Sequence, residues 1–328
     1  MNLTLRQKQL LELLSINCRF SNRDIAKTLR CSEDAVDYQI KKLIEEEKLA
    51  RFSIQFDYFM LGYRQYHLWL RLNTLEIPHK KLEAMPAIIS VNDNYGKYDV
   101  QLIALVKQPE ELQESIASLK EIFDITEIGV AECTSHLKPF TNLIPPIITN
   151  AKIPKNKKNP LNQLTSRSYA SQRKIAPITL DAIDKKIIAA LLKNPRIKFS
   201  NLSEQTGINH ETIRYRINGY VKNKLILNFG LLHDFQKYGL YTTYILLNVK
   251  TFDKEFLDHL QKEPNVFYAA GLTGSYSGII YLVSHNPEEL GVKLKGIRKA
   301  LGNNLLSFDL IQMEKIYKYL QFPEKELK

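Results

Sequence analysis

Apolar residues at Ile183, Ile187, Ile188 and Leu191 recur with the 3.6-residue period of a helix, which Pro195 brings to an end. A short helix is expected from about Ser200 to Thr206, with Gly207 as its turn and Asn209 as the N-cap of a third helix. Ile213, Ile217 and Val221 line one stripe of that helix, so Glu211, Arg214, Tyr215 and Asn218 face outward. Two short helices joined by a tight turn, the second amphipathic, form a helix-turn-helix of the kind that enters a major groove. The stretch KLILNFGLLHD that follows alternates weakly and reads as a wing strand, with KLARFSIQFD earlier in the chain as its pair. Next come TYILLNV, DKEFLDHLQK, VFYAAGLTG, GIIYLVS, PEELGVKLKGIRKAL and LLSFDLIQM, which read as strand, helix, strand, strand, helix, strand.

The same pattern occurs earlier. Residues 3–72 align with residues 180–249 without a gap, at an offset of 177. The matched identities include Leu14 with Leu191, Asn17 with Asn194, Arg19 with Arg196, Tyr38 with Tyr215 and Phe52 with Phe229. One further residue shifts the frame so that GKYD at 96–99 meets GSYS at 274–277, and PEEL recurs at 109–112 and 287–290. The expected fold is α+β: two copies of a winged helix-turn-helix followed by a ferredoxin-like βαββαβ domain. The boundaries fall at 1–60 and 61–138 for the first copy, 139–178 for a linker, and 179–237 and 238–328 for the second copy. Helices cover one face of a ferredoxin-like sheet, so the bare face predicts dimerisation, within one chain or between chains.

Composition changes this picture mainly through charge. The 328 residues carry a net charge of +11. From Lys138 to Leu180 there is no acidic residue, and eight basic ones stand there with six of the thirteen prolines. That segment reads as an extended basic linker, suited to phosphate or an acidic surface. No apolar run is long enough to cross a bilayer and the N-terminus lacks signal-peptide order, so a cytoplasmic protein with no membrane role is expected. The cysteines, Cys18, Cys31 and Cys133, read as reduced and structural. No phosphate-loop, HExxH or paired CxxC motif is present; no metal or cofactor and no enzymatic activity are expected.

With these residues in place, LDAIDKKIIAALLKNPRIKFSNLSEQTGINHETIRYRI resembles the DNA-binding opening of the Lrp/AsnC, or feast/famine, family of transcriptional regulators. The resemblance covers nearly all the chain outside the linker. It implies a winged helix-turn-helix that binds double-stranded DNA, and a ferredoxin-like (RAM) domain that forms homo-oligomers and takes a small effector, often an amino acid. The first copy departs from the family at Thr4, Gln7, Arg30 and Gln39, where two acidic residues, a turn glycine and a recognition-helix arginine would stand. The resemblance also places an effector pocket at the glycine turn: Gly96, Tyr98 and Asp99 in the first copy, Gly274, Tyr276 and Ser277 in the second. A hairpin turn that simply needs glycine is the alternative there.

The candidate DNA contacts are His210, Arg214, Tyr215, Arg216 and Asn218 on the third helix, with Arg196 and Lys198 beside the backbone; Arg216 has an internal ion pair as its alternative. In the first copy the corresponding surface shows Glu33, Asp34, Asp37 and Tyr38, which makes that head acidic and degenerate, a scaffold, a partner surface or a mask pairing with the basic linker. Two other functions compete with the regulator reading. Siroheme decarboxylases look similar in using paired units of this kind, and would need cations and a histidine or tyrosine in one cleft. A metabolite sensor acting through protein contacts is the third.

Overall fold

The computed structural model describes residues 3–46, 49, 51–74, 77–140, 145–152, 154 and 177–327. Its first half comprises the helices α1 (Leu5–Ile16), α2 (Asn22–Leu29) and α3 (Glu33–Glu45) and the strand β1 (Arg51–Phe56). It continues through β2 (Arg64–Leu72), α4 (His79–Glu83), β3 (Ile88–Gly96), β4 (Val100–Val106), α5 (Pro109–Ile122) and β5 (Ile125–Lys138). The same order returns as α6 (Ala182–Lys193), α7 (Phe199–Thr206), α8 (His210–Lys222), β6 (Ile226–Leu232), β7 (Tyr241–Val249), α9 (Lys254–Lys262), β8 (Val266–Gly274), β9 (Gly278–Ser284), α10 (Pro287–Leu301) and β10 (Leu305–Tyr319).

Local chemistry sets the helix starts. Asp181 and Asp184 form a reciprocal capping box at α6, and Thr4 and Gln7 form the same box at α1 with neutral groups. The first copy's departures at Thr4 and Gln7 therefore leave the cap intact. Ser21 caps α2, Ser32 caps α3 and Asn209 caps α8, each side-chain oxygen accepting from a backbone N–H of the first turn.

The two ferredoxin-like sheets, ordered β3-β4-β2-β5 and β8-β9-β7-β10, do not present bare faces. They join edge to edge, β5 antiparallel to β8 and β10 antiparallel to β3, into one closed eight-stranded barrel. The faces expected to recruit a partner are turned inward on each other, with Trp69, Tyr244, Tyr268, Tyr281 and Ile311 buried among them. The outward faces pack under helices, Leu68 and Leu102 with Leu119 in one half and Ile245 and Leu282 with Phe256 and Leu260 in the other. Of the two pairings left open, the one within the chain is the one seen, which removes the edge strands as well; the expectation of a homo-oligomer built through these sheets is thereby corrected, since the faces are already used. The wing strands likewise pair across the halves, β1 with β6, Ile54 opposite Phe229.

The linker is partly built in. Ile147 is fully buried, and the Glu12 carboxylate of α1 accepts hydrogen bonds from the backbone N–H groups of Thr149, Asn150 and Ala151 and from the Thr149 hydroxyl. Lys138, counted above as a linker charge, is a buried end of β5 whose ammonium donates to the carbonyls of Leu260 and Glu263 at the C-terminus of α9, at 2.8 and 2.7 Å. Burial lowers its pKa to about 8. The proposed pairing of the remaining linker with the acidic helix lies outside the described residues.

Candidate nucleic-acid interface and effector turns

The heads are locked together by an exchange of arginines. Arg19 donates to the carbonyls of Pro195 (2.6 Å) and Ile197 (3.1 Å), and its guanidinium lies over the rings of Phe199 and Phe229. Arg196 returns the contact, donating to the carbonyl of Cys18 and to Asn22 Oδ1, and lies over Phe52. Two of the contacts correspond at the 177-residue offset, Arg19–Pro195 with Arg196–Cys18 and Arg19–Phe229 with Arg196–Phe52, which describes a local pseudo-twofold axis between the heads. Burial lowers the pKa of both arginines, Arg19 to about 10, so both stay charged near neutrality. Arg196 was expected to serve the DNA backbone; its donors are committed inward, and its identity with Arg19 across the repeat was the signal for that role.

Arg216 is also turned inward. It bridges Asp181 at 2.8 Å and Asp184 at 3.0 Å, and Asp184 further accepts from the Tyr220 hydroxyl at 2.5 Å. This ties α8 to α6 and fixes the angle at which α8 is presented. The first copy replaces the cluster as a set, with Gln7, Gln39 and Leu43 at the positions of Asp184, Arg216 and Tyr220.

What remains outward on α8 is the surface expected from its period. Tyr215 is 78% exposed, and Arg214 is exposed with only a loose contact to Glu211 at 3.7 Å. Lys198 is exposed at the N-cap of α7 and His210 at the start of α8, His210 edge-on to Phe199, and Asn218 is half-buried one turn beyond Arg214. His210, Arg214, Tyr215 and Asn218 thus lie on α8 away from its buried stripe, while Arg196 and Arg216 are held in contacts within the head pair.

The first head is not acidic as a whole. Residues 1–60 contain ten Lys or Arg and nine Asp or Glu, against ten and five in residues 179–237. Four of those nine acids, Glu33, Asp34, Asp37 and Glu45, lie on α3, where half-exposed Asp37 pairs with Lys41 at 2.8 Å.

The glycine turns of both halves meet. The hydroxyls of Tyr98 and Tyr276 stand 3.3 Å apart, Tyr98 donating to Glu127 (2.9 Å) and Tyr276 to Asp309 (2.7 Å). Lys97 donates to Asp309 at 2.9 Å and to the Tyr276 hydroxyl at 3.1 Å. Glu127 and Asp309 were missed because they come from strands remote in sequence, whereas Lys97 stands within the GKYD turn itself, between Gly96 and Tyr98. The glycines have a demand of their own. A Cβ on Gly96 (φ +118°) would come 2.8 Å from the Leu310 carbonyl, and one on Gly274 (φ +143°) would overlap the Val130 carbonyl. Both turns lie against the last strand of the opposite half, so glycine is required by barrel closure. Asp99 and Ser277 are equivalent too: Asp99 accepts from Leu72 N–H at 2.8 Å and Ser277 from Val249 N–H at 3.2 Å. The serine replaces the aspartate as a strand-end acceptor.

A separate cavity of about 110 Å³ lies where the wing meets the barrel, lined among others by Tyr58, Gln65, His136, Tyr268, Tyr281 and Tyr319. Burial holds His136 near a pKa of about 4, in its neutral form. No Lys or Arg lines it among the described residues.

Residues 180–219 match the AsnC-type helix-turn-helix domain. The chain is 27% identical over 146 residues to an uncharacterised HTH-type transcriptional regulator of Pyrococcus abyssi, covering 41% of this chain and 97% of that protein. It is 30% identical to the HTH-type transcriptional regulator FL11 of Pyrococcus horikoshii, over 34% of this chain and 76% of that protein. Among solved structures, the siroheme decarboxylase NirDL shares the fold over 98% of both chains, with a TM-score of 0.60 at 11% identity. The helix-turn-helix match and the regulators aligned over most of their own length together establish that this protein belongs to the Lrp/AsnC family.

Proposed function

We propose that the protein is a sequence-specific DNA-binding transcriptional regulator whose single chain is a tandem duplication folded as a built-in dimer. The observation that carries this reading is the outer face of α8: Arg214 and Tyr215 face solvent, with half-buried Asn218 one turn beyond Arg214, while Arg216 is spent on holding the helix in place. Guanidinium and amide groups one turn apart suit the donor and acceptor pattern of base edges. The regulators to which the chain is similar support the same reading. Double-stranded DNA is the macromolecular partner; homo-oligomers of the chain would use surfaces other than the sheets, which are already paired.

A small effector, with an amino acid as the type, fits the junction of the two glycine turns. Glu127 and Asp309 there offer acceptors to an ammonium group and Lys97 offers a donor to a carboxylate. Selection of bound fragments from genomic DNA by the full-length protein tests the main reading. A shared motif should emerge, and its recovery should disappear with Arg214→Ala.

A second reading, a tetrapyrrole enzyme, is favoured by the whole-chain likeness to NirDL and by the histidine and tyrosines that converge in the wing cavity. That cavity has room for about one ring, judged against engineered cavities of about 150 Å³ that hold benzene. It also offers no cation to a tetrapyrrole carboxylate. Unchanged visible absorbance on mixing with a tetrapyrrole is the expected result.

A further inference from the structure

The two heads carry opposite charge on two different helices. The 177-residue correspondence sets Arg23, Lys27 and Arg30 of the first head against Ser200, Glu204 and Gly207 of the second. On the third helix it sets Glu33, Asp37 and Lys41 against His210, Arg214 and Asn218. The head with the anionic third helix therefore has the cationic second helix, and the reverse holds in its partner.

The three cations form one surface. Arg23 and Lys27 lie one turn apart on α2, both exposed, and with Arg30, Cys31, Ser32 and Glu33 they line a shallow cleft at the turn into α3. None of the three has an ion pair among the described residues. Arg30 occupies the left-handed position, φ 54° and ψ 54°, where the second head has Gly207 at φ 70°. A side chain at that position is disfavoured relative to glycine, yet the first head keeps an arginine there. Asp37 does not face the cleft. It pairs with Lys41 and also receives a hydrogen bond from Asn22, whose side-chain oxygen accepts from Arg196. Its charge is thereby partly answered within the head pair.

We propose that the first head is a sequence-independent clamp on DNA phosphates, made by Arg23, Lys27 and Arg30, beside a second head that reads base edges. The proposal rests on the DNA-binding reading above and extends it to the head that departs from the family pattern. Three exposed cations with no ion pair among the described residues suit phosphate oxygens, which carry charge and no sequence. The reader and the clamp are held at fixed relative position by the exchanged Arg19 and Arg196 and by the β1–β6 pair. Glu33 stands at the rim of the cleft and opposes the clamp.

The test uses the full-length chain, a duplex carrying the selected motif, a scrambled duplex of equal length, and a salt series. The triple variant Arg23→Ser, Lys27→Ser, Arg30→Gly borrows serine and glycine from the second head's own turn. Three lost phosphate contacts should lower the slope of log affinity against log salt by about 2.7. Affinity should fall by the same factor on both duplexes, leaving their ratio unchanged, whereas Arg214→Ala should collapse the ratio. Glu33→Gln should tighten both complexes. An unchanged slope in the triple variant overturns the clamp, and so does a loss confined to the motif duplex, which would make the first head a reader. If the wild-type chain binds neither duplex, the DNA-binding reading itself fails, a result distinct from either.

Discussion

At the residue scale, Arg19 and Arg196, the matched arginines of the repeat, turn inward to hold the two heads together. Each guanidinium is largely withdrawn from solvent and donates into the other head, Arg19 to two backbone carbonyls and Arg196 to one and to Asn22 Oδ1. Truncation leaves those carbonyls without a donor and removes ring contacts, at a cost of about 2–3 kcal/mol. Arg196→Ala should therefore lower stability to denaturant by that amount and leave the salt dependence of DNA binding unchanged. A phosphate-contacting arginine would do the opposite, lowering the slope by about 0.9 with little loss of stability. The identity of residues 19 and 196 was plain in the sequence; their mutual contact was not, because it spans the whole first half of the chain. By contrast, the cations at 23, 27 and 30 are legible from their spacing on α2, while the cleft they line and the left-handed backbone of Arg30 belong to the folded turn.

At the scale of elements, the helix boundaries, the βαββαβ order and the outer face of α8 followed from period and capping residues, since these are local. The pairing of β5 with β8 and of β10 with β3 did not, because nothing in the 2-residue alternation of a strand names its neighbour. The one trace was glycine. Gly96 and Gly274 read as effector turns, and each also allows the turn to approach a strand of the other half. Gly274→Ala should strain both the backbone, at φ +143°, and the contact with the Val130 carbonyl, destabilising the chain by more than the ~1 kcal/mol usual for glycine to alanine at a left-handed position. Gly239→Ala, with φ +71° and open space around the added Cβ, supplies the comparison in the same urea titration. Equal losses in the two variants would show that closure places no special demand on the turn.

At the scale of the molecule, barrel, wing pair and arginine exchange make two halves into one body, so neither half is complete alone. Residues 1–140 or 175–328 expressed separately would expose the barrel interior and two strand edges. Two like halves within one chain have a consequence that two identical subunits cannot reach: the heads are free to differ. Here the difference falls on two helices in opposite senses, giving a reader and a clamp. Footprinting of the full-length protein on a selected genomic site is the most direct measurement of that asymmetry. The account predicts base-specific protection over one half-site, under α8, with backbone protection alone continuing past it beneath the first head. A palindromic site with base protection in both arms would contradict it, since the first head would then be reading sequence with α3.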